Sequence, residues 1–179
     1  LQLLSDRYPN LLRRSDQIGR KPLHYASSDE VISHLIDQGV EDHDLFNETF
    51  VRNLIERSNL DSLRKVLSRG LEVGSELREF AESISDAEKK EATKALLKEF
   101  SDKQQILLTS AVDGNIAAIQ SVLRDGFKIK FSGDAKLAKV LLETASTNKN
   151  YEVLALLMSQ DIKSELNHQS YLADFTRDE

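Results

Sequence analysis

One plan recurs along this chain: an apolar stripe at helical spacing, a polar turn, a second such stripe, then a chain-reversing residue. The second stripes end at Gly39, Gly70, about Phe100, Gly126 and about Asp161, so successive ends lie 31, about 30, about 26 and about 35 residues apart. A period of this size marks a repeat architecture. Each unit is one supersecondary block that buries its apolar face only by stacking on its neighbours. The chain is thereby restricted to stacked helix pairs.

The first copy is the most informative. Asp16-Gln17-Ile18-Gly19 has the composition of a tight turn. Aspartate bonds back to its own backbone there, and glycine supplies positive φ. Pro22 suits the first helical position, where a missing N–H costs nothing. Leu23 and Ala26, three apart, are expected to face inward. Ser27, Ser28 or Asp29 is the expected cap of a second helix with the stripe Val31, Ile32, Leu35 and Ile36, closed by Gly39 as a left-handed cap.

Taken together, Asp16-x-x-Gly19-Arg20-x-Pro22-Leu23-His24-x-Ala26 resembles the opening of an ankyrin repeat, a hairpin turn followed by the first of two antiparallel helices. The resemblance is carried by residues 16–39 and extends by phase over most of the chain. It implies an all-α, ankyrin-like helical-repeat solenoid with short hairpin loops. About five such units would fill residues 1–166, the first and last incomplete, with 167–179 as a frayed tail or linker.

The other copies are read in the same phase. Asn47 stands where the turn glycine falls, as a residue that tolerates the left-handed region; a first helix follows, then Val66, Leu67 and Gly70. In the divergent third copy residues 75–83 form a first helix, and Ser85-x-x-Glu88 is a capping box opening a second helix through Ala92, Leu96, Leu97 and Phe100. Ser101-x-x-Gln104 spells another capping box, for the first helix of the fourth unit. There Asp113-Gly114 is the interhelix turn and Asn115 the cap, ahead of Val122, Leu123 and Gly126. Residues 128–133 alternate as a hairpin finger does. Thr144, Ala145 and Ser146 then lead through Asn150 and Tyr151 to Val153, Leu156 and Leu157. Leu1 to Tyr8 suits the tail of a helix, with Pro9 at its exit; a start without Met suggests that both ends are cuts from a longer protein.

Composition narrows the function classes. Lys and Arg total 24 against 30 for Asp and Glu, a net charge of -6, which opposes a general nucleic-acid binder. No cysteine is present, so disulfides and thiolate metal sites are excluded and a reducing, intracellular and cytoplasmic setting is suited. No apolar run approaches the ~20 residues of a membrane span. No nucleophile–base–acid set, phosphate-cradling glycine loop or cofactor motif is legible, so no enzyme and no cofactor are expected. His34, Asp37, Glu41, Asp42, His43 and Asp44 form the only His–carboxylate cluster; an acidic loop after a helix is expected there, not a metal site.

What the ankyrin resemblance implies is a module that binds another protein or peptide through a concave surface, as a monomeric segment of a larger multidomain protein. The positions matching the exposed ones of the motif are Gln17, Arg20, Lys21 and Tyr25 in the first copy and Glu48, Asn53 and Arg57 in the second. His24 is the motif histidine, expected to brace loops. The alternative is an intramolecular spacer or regulatory arm packing on an adjacent domain of the same chain.

Overall fold

The computed structural model describes residues 14–18, 20–40, 42–129 and 136–160, where all regular structure is helical. Ten helices stand among these residues. The chain divides into two compact units, Leu1–Phe100 and Ser101–Glu179.

In the first unit, α1 (Pro22–Tyr25) starts with Pro22 in its first turn and buries Leu23. Ala26 falls just beyond its end. The second helix, α2 (Asp29–Asp37), is capped by Ser28, whose Oγ accepts from the Val31 N–H at 3.3 Å, and it buries Ile32, Leu35 and Ile36. Gly39 ends it at φ 90°, a conformation costly for any residue with a Cβ. A short α3 (Asp42–Leu45) precedes α4 (Glu48–Glu56). This is a helical turn, where a second hairpin finger was expected. Asn47 corrects the expectation too: at φ -65° and ψ 126° it is an extended N-cap, its side chain accepting from the Phe50 N–H at 3.2 Å.

Then come α5 (Leu60–Ser68), closed by Gly70 at φ 100°, and α6 (Ser75–Glu82). Leu54, Ile55, Leu63, Val66 and Leu67 are essentially inaccessible; each is worth ~1.5–3 kcal/mol of burial. Helix α2 packs along α5, and α4 packs on α3, α5 and α6. Arg52 of α4 lies 4.0 Å over the Phe80 ring of α6.

The α2–α5 contact is in register. At one end the Asp29 carboxylate accepts from the Asp61 and Ser62 N–H groups at 3.0 and 2.9 Å, capping α5 from the neighbouring helix. Ser62 Oγ donates back to Asp29 O at 3.0 Å. At the other end Lys65 reaches the Asp37 carboxylate, and Arg69 donates to Val40 O at 2.9 Å and to Ile36 O. Asp29 to Ser62 and Ile36 to Arg69 are both 33 residues apart. The two helices therefore run parallel at a constant offset.

The long α7 (Ala87–Asp113, 27 residues) begins in the first unit and ends in the second. Its N-terminus corrects one expectation: Asp86 is the cap, accepting from Glu88 N and Lys89 N at 3.1 Å, and Ser85 is not. It also removes the expected break at Ser101, which lies inside the helix. The apolar stripe explains this. Leu96, Phe100, Leu107 and Ala111 are all buried, at spacings that stay on one helical face, and no glycine or proline interrupts them. A capping-box spelling has no force where the stripe continues through it.

In the second unit, α8 (Ile116–Arg124) is capped by Asn115, which accepts from Ala118 N at 3.1 Å. Gly126 closes it at φ 86°. After that α9 (Lys136–Thr147) packs on α10 (Tyr151–Gln160), which also touches α8. The expected finger lies mostly outside the described residues, as do the terminal helix tail and the C-terminal linker.

Three interhelix turns share one backbone. Ser58, Gly114 and Lys149 adopt φ 54°, 71° and 56°, and each is followed by asparagine. In each, the asparagine N–H donates to the carbonyl five residues back (Leu54, Ser110, Ala145), and the next N–H to the left-handed residue itself. The first and third were not anticipated, because neither Ser58 nor Lys149 carries the glycine that usually signals such a turn.

Candidate partner-binding surface of the first unit

The turn before α1 is built by Asp16. Its N–H donates to Arg20 O at 2.8 Å, and its Oδ1 accepts from the Ile18 and Arg20 N–H groups at 2.9 and 2.8 Å. Tyr25, one turn into α1, donates its hydroxyl to Asp16 Oδ2. The Arg20 guanidinium stands 5.9 Å from the Tyr25 ring centre. Tyr25, Asp16 and Arg20 thus form a clasp between turn and helix. The Tyr25 hydrogen bond, helped by the backbone donors, holds the Asp16 carboxyl below its usual range. The same bond is the main reason the Tyr25 phenol is raised. Ile18 and Tyr25 nonetheless remain 68% and 58% exposed, an apolar tip beside exposed Gln17 and Arg20.

Lys21 is placed differently from Gln17 and Arg20. Its ammonium lies on the Asp44 carboxylate at 2.7 Å, with both side chains largely covered, and 3.3 Å from His43 Nε2. Its charge ties the start of α1 to α3. The acidic stretch after Gly39 therefore supplies a counter-ion. Among the described residues no group of three His, Asp or Glu side chains is arranged to hold a metal ion.

His24 is exposed and braces its own turn: Nδ1 accepts from the Lys21 N–H at 2.9 Å. The Lys21 carbonyl is farther from Nδ1, at 3.3 Å, and already accepts the His24 N–H at 2.9 Å. In the neutral ring this puts the proton on Nε2.

A groove of about 130 Å³ opens between α1 and α4. Leu23, Ala26, Ile32, Phe50 and Leu54 supply its apolar lining, and His24, Asn47, Thr49, Asn53, Arg57 and Asn59 the polar part. Asn53 on α4 and Arg57, the residue that caps its C-terminus, are one turn apart and exposed on the groove wall. Glu48, in the first turn of α4, is exposed but does not line it. Of the seven residues expected to meet a partner, the structure brings two into this groove, two into the clasp, leaves Gln17 and Glu48 on open surface and engages Lys21 elsewhere.

Asn59 escaped the sequence reading. It is 6% exposed, lines the groove, and its Nδ2 has no hydrogen-bond partner. A buried donor left so costs about 1–3 kcal/mol. The signal available was its phase with Asn115 and Asn150 in the shared turn. No family model, curated protein or solved structure matches the chain.

Proposed function

We propose that this chain is a protein-binding module of ankyrin-like repeats within a larger intracellular protein, and that its contact surface lies on the first unit. The observation that carries this reading is the groove between α1 and α4, apolar beneath and lined with polar groups, beside a turn that keeps Ile18 and Tyr25 exposed. Large exposed apolar residues next to a polar-rimmed depression have the makeup of a protein interface. The repeat reading draws support from the 33-residue offset between α2 and α5 and from the three matching turns. Stacked pairs of this period display their first helices and loops along one side.

Co-purification from a lysate tests it, comparing the native chain with a form carrying Arg57→Glu. The Arg57 side chain is exposed, so reversal leaves the core intact; Arg20 and Lys21 are left alone because reversing either sets two carboxylates together, at Asp16 or at Asp44. A partner held by the native chain and lost from the reversed one is expected. A partner held equally by both would remove the surface from this face.

A further inference from the structure

The polar lining of the groove is one-sided in charge. His24 offers Nε2–H, because Nδ1 accepts from the Lys21 N–H. Asn47 uses its oxygen on the Phe50 N–H, which leaves its amide hydrogens. Asn59 has its buried Nδ2 unpartnered. Among the described residues Arg57 carries the only formal charge in the lining and no carboxylate lines it, and a cation so placed attracts an anion.

The equivalent turn in the second unit shows what this amide takes. Asn150 Nδ2 donates to Ala111 O and Val112 O, both at 2.8 Å. Those two carbonyls close a helix one pair back. In the first unit the helix one pair back is α1, only four residues long, and its carbonyls do not reach Asn59. The amide that is sealed by two oxygens at Asn150 is left without them at Asn59.

We infer that the groove takes a carboxylate together with a neighbouring apolar side chain, from a short acidic–apolar segment of the protein partner, an inference that rests on the protein-binding reading above. The carboxylate oxygens pair with the Arg57 fork; Asn59 Nδ2, closed off from solvent, meets them only where the Asn59 side chain turns toward the groove. The apolar side chain lies over Leu23, Ile32 and Leu54, in a volume close to the ~150 Å³ that holds a benzene ring in an engineered cavity. One guanidinium among neutral donors matches a single negative charge; a phosphate group, near minus two, would leave charge uncompensated.

The test uses the whole chain and a phage-displayed library of random dodecapeptides, followed by fluorescence polarisation of the selected peptides. The expected result is enrichment of Asp or Glu beside Leu, Ile, Val or Phe. Changing that acid to its amide, or making Arg57→Gln in the protein, should each weaken binding at least about ten-fold. Asn53→Ala, an exposed change, should weaken it less, and circular dichroism confirms that both variants fold. Selected peptides that lack the acid, tighten when phosphoserine replaces it, or bind the Arg57→Gln protein unchanged overturn the carboxylate assignment and leave the protein-binding reading standing. No selected peptide at all also overturns it, while partner capture by the native chain in the co-purification decides the broader reading separately.

Discussion

Single residues carry two properties here that a helical pattern does not reveal. The first is the Asp16–Tyr25 clasp, whose pH behaviour follows from the direction of each shift. Asp16 is lowered, so its contribution is full above the usual aspartate range and is lost as pH falls through the lowered value. Tyr25 is raised, so its contribution is full below the usual tyrosine range and is lost as pH rises through the raised value. Tyr25→Phe keeps the ring and deletes the hydroxyl. Its deficit in urea midpoint should be constant near neutrality and should shrink in acid; a deficit independent of acid pH would show that the clasp does not form. The second property is the left-handed residue of each turn. Lys149 holds φ 56° with its side chain exposed, a conformation costing ~1–2 kcal/mol outside glycine. Allowing for the extra freedom of glycine in the unfolded chain, Lys149→Gly should stabilise by about 0.5–1 kcal/mol in chemical denaturation. Gly114→Ala should do the opposite, since a Cβ there meets Asn150 Oδ1 at 3.0 Å.

At the scale of elements, most helices were legible, but the short α3, the start of α7 and its continuity through Ser101 were not. Glycines 39, 70 and 126 marked three helix ends because positive φ leaves few other choices; Asn115, and Ser28 as one of three candidates with Ser27 and Asp29, marked two starts because their side chains satisfy otherwise open N–H groups. Asn47 was legible as a turn residue but not in its role, and Asp86 was passed over for Ser85; both roles depend on where the preceding chain comes from. Ser101 was misread because its spelling is local and the stripe from Leu96 to Ala111 is not. Asp102→Pro separates the alternatives. A helix starting after Ser101 accepts proline at its first position; inside continuous α7 it costs about 3 kcal/mol or more. A marked fall in helicity and thermal midpoint is expected, and an unaffected protein would restore the break. Likewise Arg69 is written as an ordinary charged residue, yet it caps α2 from α5. Arg69→Ala should cost about 1–3 kcal/mol by uncovering those carbonyls.

For the whole molecule, what was legible was the class: the regular structure of the described residues is all helical, as the apolar spacing predicts. No helix among the described residues is long and apolar enough to cross a membrane. The candidate site was legible in part. Arg57 and Asn53 follow from position along and at the end of the second first-helix, but the groove they border lies between α1 and α4, and Asn59 is singled out only by the missing partner of its amide. Such a gap is a property of packing that spacing along the chain does not encode. Whether the α1–α4 face meets a protein is read by site-specific photo-crosslinking. A photoreactive residue placed at Asn53, exposed on the groove wall, is compared in lysate with one at Glu143, exposed on α9. A discrete protein adduct from position 53 that disappears with Arg57→Glu is expected, and none from position 143. Adducts from 143 but not 53, or an adduct at 53 indifferent to Arg57, would contradict that expectation.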